Sequence, residues 1–95
     1  KVAFEKAGIK MDHKTLSLPT GEKYESKYGS LDYGIATLID KDLYVAGTSR
    51  YGTEAALLYL LKNKVNAGTI VVKWQDTNRN GAVDENEISL ELQKS

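Results

Sequence analysis

Apolar and polar residues alternate along most of this chain in short runs, and one longer stretch breaks the alternation. Ile9 and Met11, then Leu16 and Leu18, are separated by polar neighbours, which predicts two short strands around Asp12-His13-Lys14. Residues 31–39 (LDYGIATLI) and 43–47 (LYVAG) are rich in β-formers, and the short polar link Asp40-Lys41-Asp42 predicts that they form an antiparallel hairpin. Residues 69–74 (TIVVKW) read as a strand by composition. Residues 88–93 (ISLELQ) alternate throughout, so one face is expected to be buried and the other wet. A short helix is admissible over 1–7 and would end at Gly8. Pro19 closes the first strand pair, because it cannot donate to a ladder and biases Leu18 towards extended geometry. The polar segment 19–30 (PTGEKYESKYGS) reads as a loop.

The break comes at 50–64 (RYGTEAALLYLLKNK), whose Ala, Leu, Glu and Lys are good helix formers. Ser49 or Thr53 is expected to cap its first amides. Lys62 and Lys64 sit at the negative end of the helix dipole, and Asn66 and Gly68 end the helix. The arc of Leu57, Leu58 and Leu61, with Ala55 and Val65, is expected to lie on a sheet. Together these elements predict a single α+β domain over residues 1–95. Its mixed, mostly antiparallel sheet of about four to six strands packs one face against the helix at 51–64. Strand 43–47, that helix and strand 69–74 would form a right-handed βαβ crossover, and a C-terminal hairpin would complete the sheet.

Composition narrows the classes. The 95 residues are 41% hydrophobic and 27% charged, as in an ordinary folded domain. A formal net charge of zero without a basic stripe argues against nucleic acid as the main partner. The chain has no cysteine, so disulfides and thiolate metal sites are excluded. No apolar run approaches the roughly 20 residues that span a bilayer. The first residue is Lys1 rather than Met, which is expected of a processed or excised segment.

Residues 76–87 (DTNRNGAVDENE) carry the clearest chemistry. Oxygen-bearing side chains fall at the first, third, fifth, ninth and twelfth positions and a glycine at the sixth, the spacing of an EF-hand-type calcium loop. Calcium is a hard cation that takes about six to eight oxygens, so a loop offering one from every second residue can wrap it. The expected ligands are the side chains of Asp76, Asn78 and Asn80, the carbonyl of Ala82, Asp84 directly or through a water, and Glu87 in bidentate fashion. Asn at two early positions lowers the anionic charge and predicts weak binding, on the order of 10⁻⁴–10⁻³ M. The flanks have period two rather than 3.6, so the loop is expected at the tip of a β-hairpin. It resembles the DxDxDG-type loops of integrin-like and thrombospondin-like extracellular repeats more than calmodulin. The alternative is a metal-free type I′ turn at Asn80-Gly81 flanked by solvated residues.

Other patterns carry less. Residues 47–53 (GTSRYGT) join a strand to a helix N-terminus that could hold an anion, with Arg50 nearby, but neither GxxxxGK[ST] nor GxGxxG is present and a capped tight turn is the plainer reading. His13 is the sole histidine and reads as a turn residue in water. The serines have no base at motif spacing. Six tyrosines and Trp74 are spread along the chain, as expected of half-buried strand residues. With no catalytic set apparent, the chain is not expected to be an enzyme.

The middle of the chain, Tyr33-Gly34-Ile35-Ala36 and then residues 43–56 (LYVAGTSRYGTEAA), resembles a segment of archaeal S-layer and related surface proteins. In that family a hairpin strand runs into VAG-x-x-R-x-G-T-x-A-A and a helix. The likeness covers residues 33 to about 64, and this chain is far shorter than a whole S-layer protein. It implies an extracellular, structural role in a surface lattice, commonly with calcium, and supplies no catalytic residues. The expected function is therefore a non-catalytic cell-surface or secreted module stabilised by calcium, with other surface proteins or glycans as partners. A glycan- or peptide-binding module using the tyrosines, and a small enzyme or enzyme accessory domain, are the alternatives.

Overall fold

Two antiparallel sheets and one long helix organise the computed structural model, which describes residues 2–63, 68–77, 79 and 81–94. A short helix α1 (Val2–Lys6) precedes β1 (Lys10–Met11), β2 (Thr15–Ser17) and β3 (Lys23–Glu25), which form a small sheet in that order. Strands β4 (Leu31–Ile39) and β5 (Asp42–Gly47), helix α2 (Arg50–Lys62), and strands β6 (Thr69–Gln75) and β7 (Ile88–Lys94) build the main sheet, in the order β5-β4-β6-β7. A 3₁₀ turn, Glu85–Glu87, leads into β7. The α+β class and the mostly antiparallel sheet expected from the sequence are thus observed.

The β4–β5 hairpin is tighter than its three-residue link suggested. Ile39 pairs with Asp42, leaving Asp40 and Lys41 as a two-residue loop. Both have positive φ, 50° and 75°, as in a type I′ turn, whose twist matches that of the flanking strands. Strand β4 is central and pairs antiparallel with β5 and β6, so β5 and β6 run parallel to each other without touching. The crossover through α2 therefore skips one strand.

Alternation along β4 assigns its residues to two cores. On one face Ile35, with Val71, packs on Phe4, Ile9, Leu16 and Leu18 of the N-terminal unit. On the other, Ala36, Ile70, Val72 and Trp74 pack on Ala55 and Ala56 of α2. The main sheet is thus covered on both faces, by α2 and by the small sheet with α1.

Of the arc expected to lie on the sheet, Ala55 is buried and Leu58 half-buried, but the helix docks centred on a different face. Its buried residues are Gly52, Ala55 and Ala56, whereas Leu57 is 48% and Leu61 82% exposed, and Val65 lies outside the described residues. Small side chains win the interface because the backbones approach closely. A Cβ at Gly34 would land on the carbonyl oxygen of Gly52, one at Gly47 on the Thr53 amide, and one at Gly52 on the carbonyl of Tyr33. Leucine cannot enter such a seam.

Two further boundaries differ from expectation. The segment 19–30 contains β3, whose Tyr24 pairs with Leu16; three residues at a sheet edge carry too little pattern to be read locally. The helix ends at Lys62 with Asn63 as its C-cap, the Asn63 backbone N–H donating to the Tyr59 carbonyl (2.9 Å). Lys64 and Asn66 lie outside the described residues. At the other end Ser49 is the N-cap, as expected, its Oγ accepting from the Tyr51 amide.

Buried Asp32 fixes that N-terminus from the sheet. Its Oδ2 accepts from the Ser49 hydroxyl and from the Gly52 amide (3.1 Å), and its Oδ1 accepts from the Tyr33 amide (3.0 Å). At its far end, β7 is clipped to the loop between β2 and β3. The Lys94 ammonium lies 3.0 Å from Glu22. The Thr20 hydroxyl, and after it Lys94, lower the Glu22 pKa from the ordinary 4.5 to about 2.

Two outcomes follow. Gly52→Ala should lose about 2–3 kcal/mol, roughly 10–20 °C in Tm, despite alanine's better helix propensity, whereas Leu61→Ala should stay within about 0.5 kcal/mol. Equal melting of the two variants would refute the seam. Because folding depresses the Glu22 pKa, its stabilisation is present above pH 4.5 and lost as the pH falls towards about 2. Lys94→Ala should raise that pKa in a carboxyl NMR titration; an unchanged value would show that the clip does not form.

Candidate metal centre

The loop at 76–87 joins β6 to β7, with strands on both sides as the two-residue periodicity required. It begins where Asp76 leaves the ladder, its backbone N–H donating to the Ser30 carbonyl (2.9 Å). The Asp76 side chain turns back into the loop. Its Oδ2 accepts from the Gly81 amide (3.0 Å), and Gly81 holds φ of 70°, a left-handed conformation that glycine adopts without penalty. First and sixth positions are thereby tied together.

The twelfth position turns inward as well. Glu87 is buried, and its Oε2 accepts from the Thr77 amide (2.8 Å) and the Thr77 hydroxyl (3.1 Å). The last residue of the loop therefore binds the second, and the carboxylates of Asp76 and Glu87 flank the point where the two strands part. Between them Ala82 is exposed, and Asp84 is half-buried at the start of the 3₁₀ turn, its carbonyl accepting from the Glu87 amide (3.0 Å). Asn78 and Asn80, the third and fifth positions, lie outside the described residues. Among the described residues no group of three His, Asp or Glu side chains is gathered closely enough to hold a metal by itself. The predicted set differs in kind: it adds two amide oxygens and a backbone carbonyl to three carboxylates. Oxygens alone suit a hard cation.

The loop rests on a firm base. Val83 and Ile88 pack on the core containing Trp74, whose ring stacks on Tyr51 (centroids 4.7 Å apart, planes 9° apart). Lys62 at the end of α2 lies 3.6 Å from Glu85, an exposed pair that contributes little. Sequence reading missed Thr77 and Ser30. A hydroxyl between two ligand positions is a weak signal, and Ser30 takes part only through its backbone.

The other candidates resolve simply. The helix N-terminus at 47–53 already holds an anion, the carboxylate of Asp32, so the capped-turn reading stands. An acid inside the apolar run 31–39 was the one sequence signal for it. His13 is exposed in the β1–β2 turn, where Asp12 accepts from the Lys14 and Thr15 amides (2.8 and 2.7 Å). Those amides, that of Lys14 first, hold the Asp12 carboxyl below its ordinary range. The aromatic rings form separate groups, Phe4 with Tyr44, Tyr24 with Tyr33, and Tyr28 with Tyr51 and Trp74, and Tyr28 is the one large exposed ring. Comparison with protein-family models, curated proteins and solved structures finds no significant match to this chain.

Removing the Glu87 tether should be visible without any metal. In a chelator, Glu87→Ala should lose about 2–3 kcal/mol, since a charged acceptor leaves two donors at the loop's neck. Co-melting with the wild type would refute the tether.

Proposed function

We propose that this chain is a non-catalytic, extracellular or cell-surface structural module whose C-terminal hairpin is stabilised by calcium. Asp76, Asn78, Asn80, the Ala82 carbonyl, Asp84 and Glu87 would hold the ion. The observation that carries this reading is the twelve-position oxygen pattern together with the inward turn of its first and last carboxylates. When bound, calcium supplies charge neutralisation where Asp76, Asp84, Glu85 and Glu87 otherwise repel one another. The chain's own residues do the rest. Gly81 makes the sharp bend, Thr77 orients Glu87, and Val83 and Ile88 anchor the loop in the core. The likeness of residues 33 to about 64 to archaeal S-layer proteins supports the surface assignment and, through the calcium those layers use, the metal. A glycan platform is the weaker reading, because the tyrosines divide among separate groups rather than one patch.

The test is thermodynamic linkage. Calcium at a hundredfold excess over Kd should raise stability by about 2.7 kcal/mol, or roughly 10–20 °C. Trp74, the single tryptophan and packed beside the loop's anchors, should report binding by fluorescence. Asp76→Ala should abolish most of both responses. No shift in melting at several millimolar calcium, a few times the weakest Kd expected (about 10⁻³ M), would sink the proposal.

A further inference from the structure

We propose, on the premise of the calcium reading, that the Thr77 hydroxyl competes with the ion for the Glu87 carboxylate and so sets the calcium affinity of the loop at 76–87. Thr77 stands at the second position of that loop and is exposed, whereas Glu87 at the twelfth is buried. A single oxygen of Glu87, Oε2, accepts from both donors of Thr77, the backbone amide at 2.8 Å and the hydroxyl at 3.1 Å.

A carboxylate oxygen has about two lone-pair sites. With both sites of Oε2 directed at Thr77, Glu87 does not present both of its oxygens to a cation. Bidentate closure, the role of the twelfth position in loops of this spacing, therefore requires Oε2 to release one of its two bonds. The two donors are not equal in this respect. The Thr77 amide is fixed by the backbone where the chain leaves β6. The hydroxyl makes the longer bond, turns about one side-chain torsion, and belongs to an exposed residue, so it is free to donate to water instead. The hydroxyl bond is the one that yields, and the amide keeps Glu87 oriented. At the first position the tie is of the fixed kind, since Asp76 accepts from the Gly81 backbone amide (3.0 Å).

Linkage gives the sign. An interaction present only in the metal-free loop stabilises that state and opposes binding by the same amount. The Thr77 hydroxyl thus steadies the neck of the empty loop and raises its Kd. A residue that merely propped Glu87 in place would do the reverse, because its loss would loosen the loop and weaken binding together. The competitor acts in the same direction as the uncharged Asn78 and Asn80, towards a site that fills at the calcium levels of extracellular modules.

Calcium titrations of the 95-residue chain, followed by Trp74 fluorescence and by melting, test the assignment. Thr77→Val keeps the β-branched shape and removes the donor. In chelator it should melt about 4–8 °C below the wild type, yet it should bind calcium about three- to tenfold more tightly. Thr77→Ser retains a hydroxyl and should match the wild type in both measurements. If valine disturbs the loop, Thr77→Ala removes the same donor and should tighten binding likewise. Binding by the valine and alanine variants that is no tighter than that of the wild type would overturn the competition and leave the calcium reading standing. A wild type and variants that all ignore calcium would overturn both.

Discussion

Backbone-to-backbone contact between α2 and the main sheet is the constraint on which the other features rest. Gly34 and Gly47 on the sheet face Gly52 on the helix, and Ala55 and Ala56 extend the seam. Without side chains between them, the two layers sit close enough for Asp32, on the central strand, to reach the first turn of the helix and accept from Ser49 and Gly52. A buried carboxylate is stable only when its charge is met, and here it is met by a hydroxyl, two amides and the positive end of a helix dipole. The dependence runs both ways: the seam brings the donors to Asp32, and Asp32 fixes where the helix begins.

The consequences reach the loop at 76–87. Once α2 is fixed, Tyr51 lies flat on Trp74, and Trp74 shares its core with Val83 and Ile88, one inside the loop and one at its exit. The loop therefore hangs from a packed layer rather than from a free hairpin. Its remaining order comes from polar bonds that cross it, Asp76 to Gly81 and Glu87 to Thr77. Sheet register and a tryptophan core thus hold the two ends of this loop.

The same layering explains why the two sheet edges differ in character. β7 leaves the loop, carries charges and ends in the Lys94 clip to Glu22 and Thr20, so its outer side is charged and tied. β5 precedes the seam and must be slim where it meets the helix, which accounts for Gly47 and for the apolar Val45 on that face. The leucines that the seam cannot admit, Leu57 and Leu61, are left on the side of the helix that faces away from the sheet.

Much was legible in the order of residues alone. Period-two runs marked the long strands, Ser49 marked the helix start, and the acid and glycine spacing at 76–87 marked the loop, because each is a local pattern of a few neighbouring side chains. The orientation of α2 was not legible. The leucine arc has the greater hydrophobicity, and only the distance between two backbones far apart in sequence decides that glycine and alanine take the buried place. Asp32, the strand at Lys23–Glu25 and the bond between Thr77 and Glu87 were hidden for the same reason. Each acquires its role from a partner between 6 and 20 residues away, and such partners meet only when the chain closes into layers.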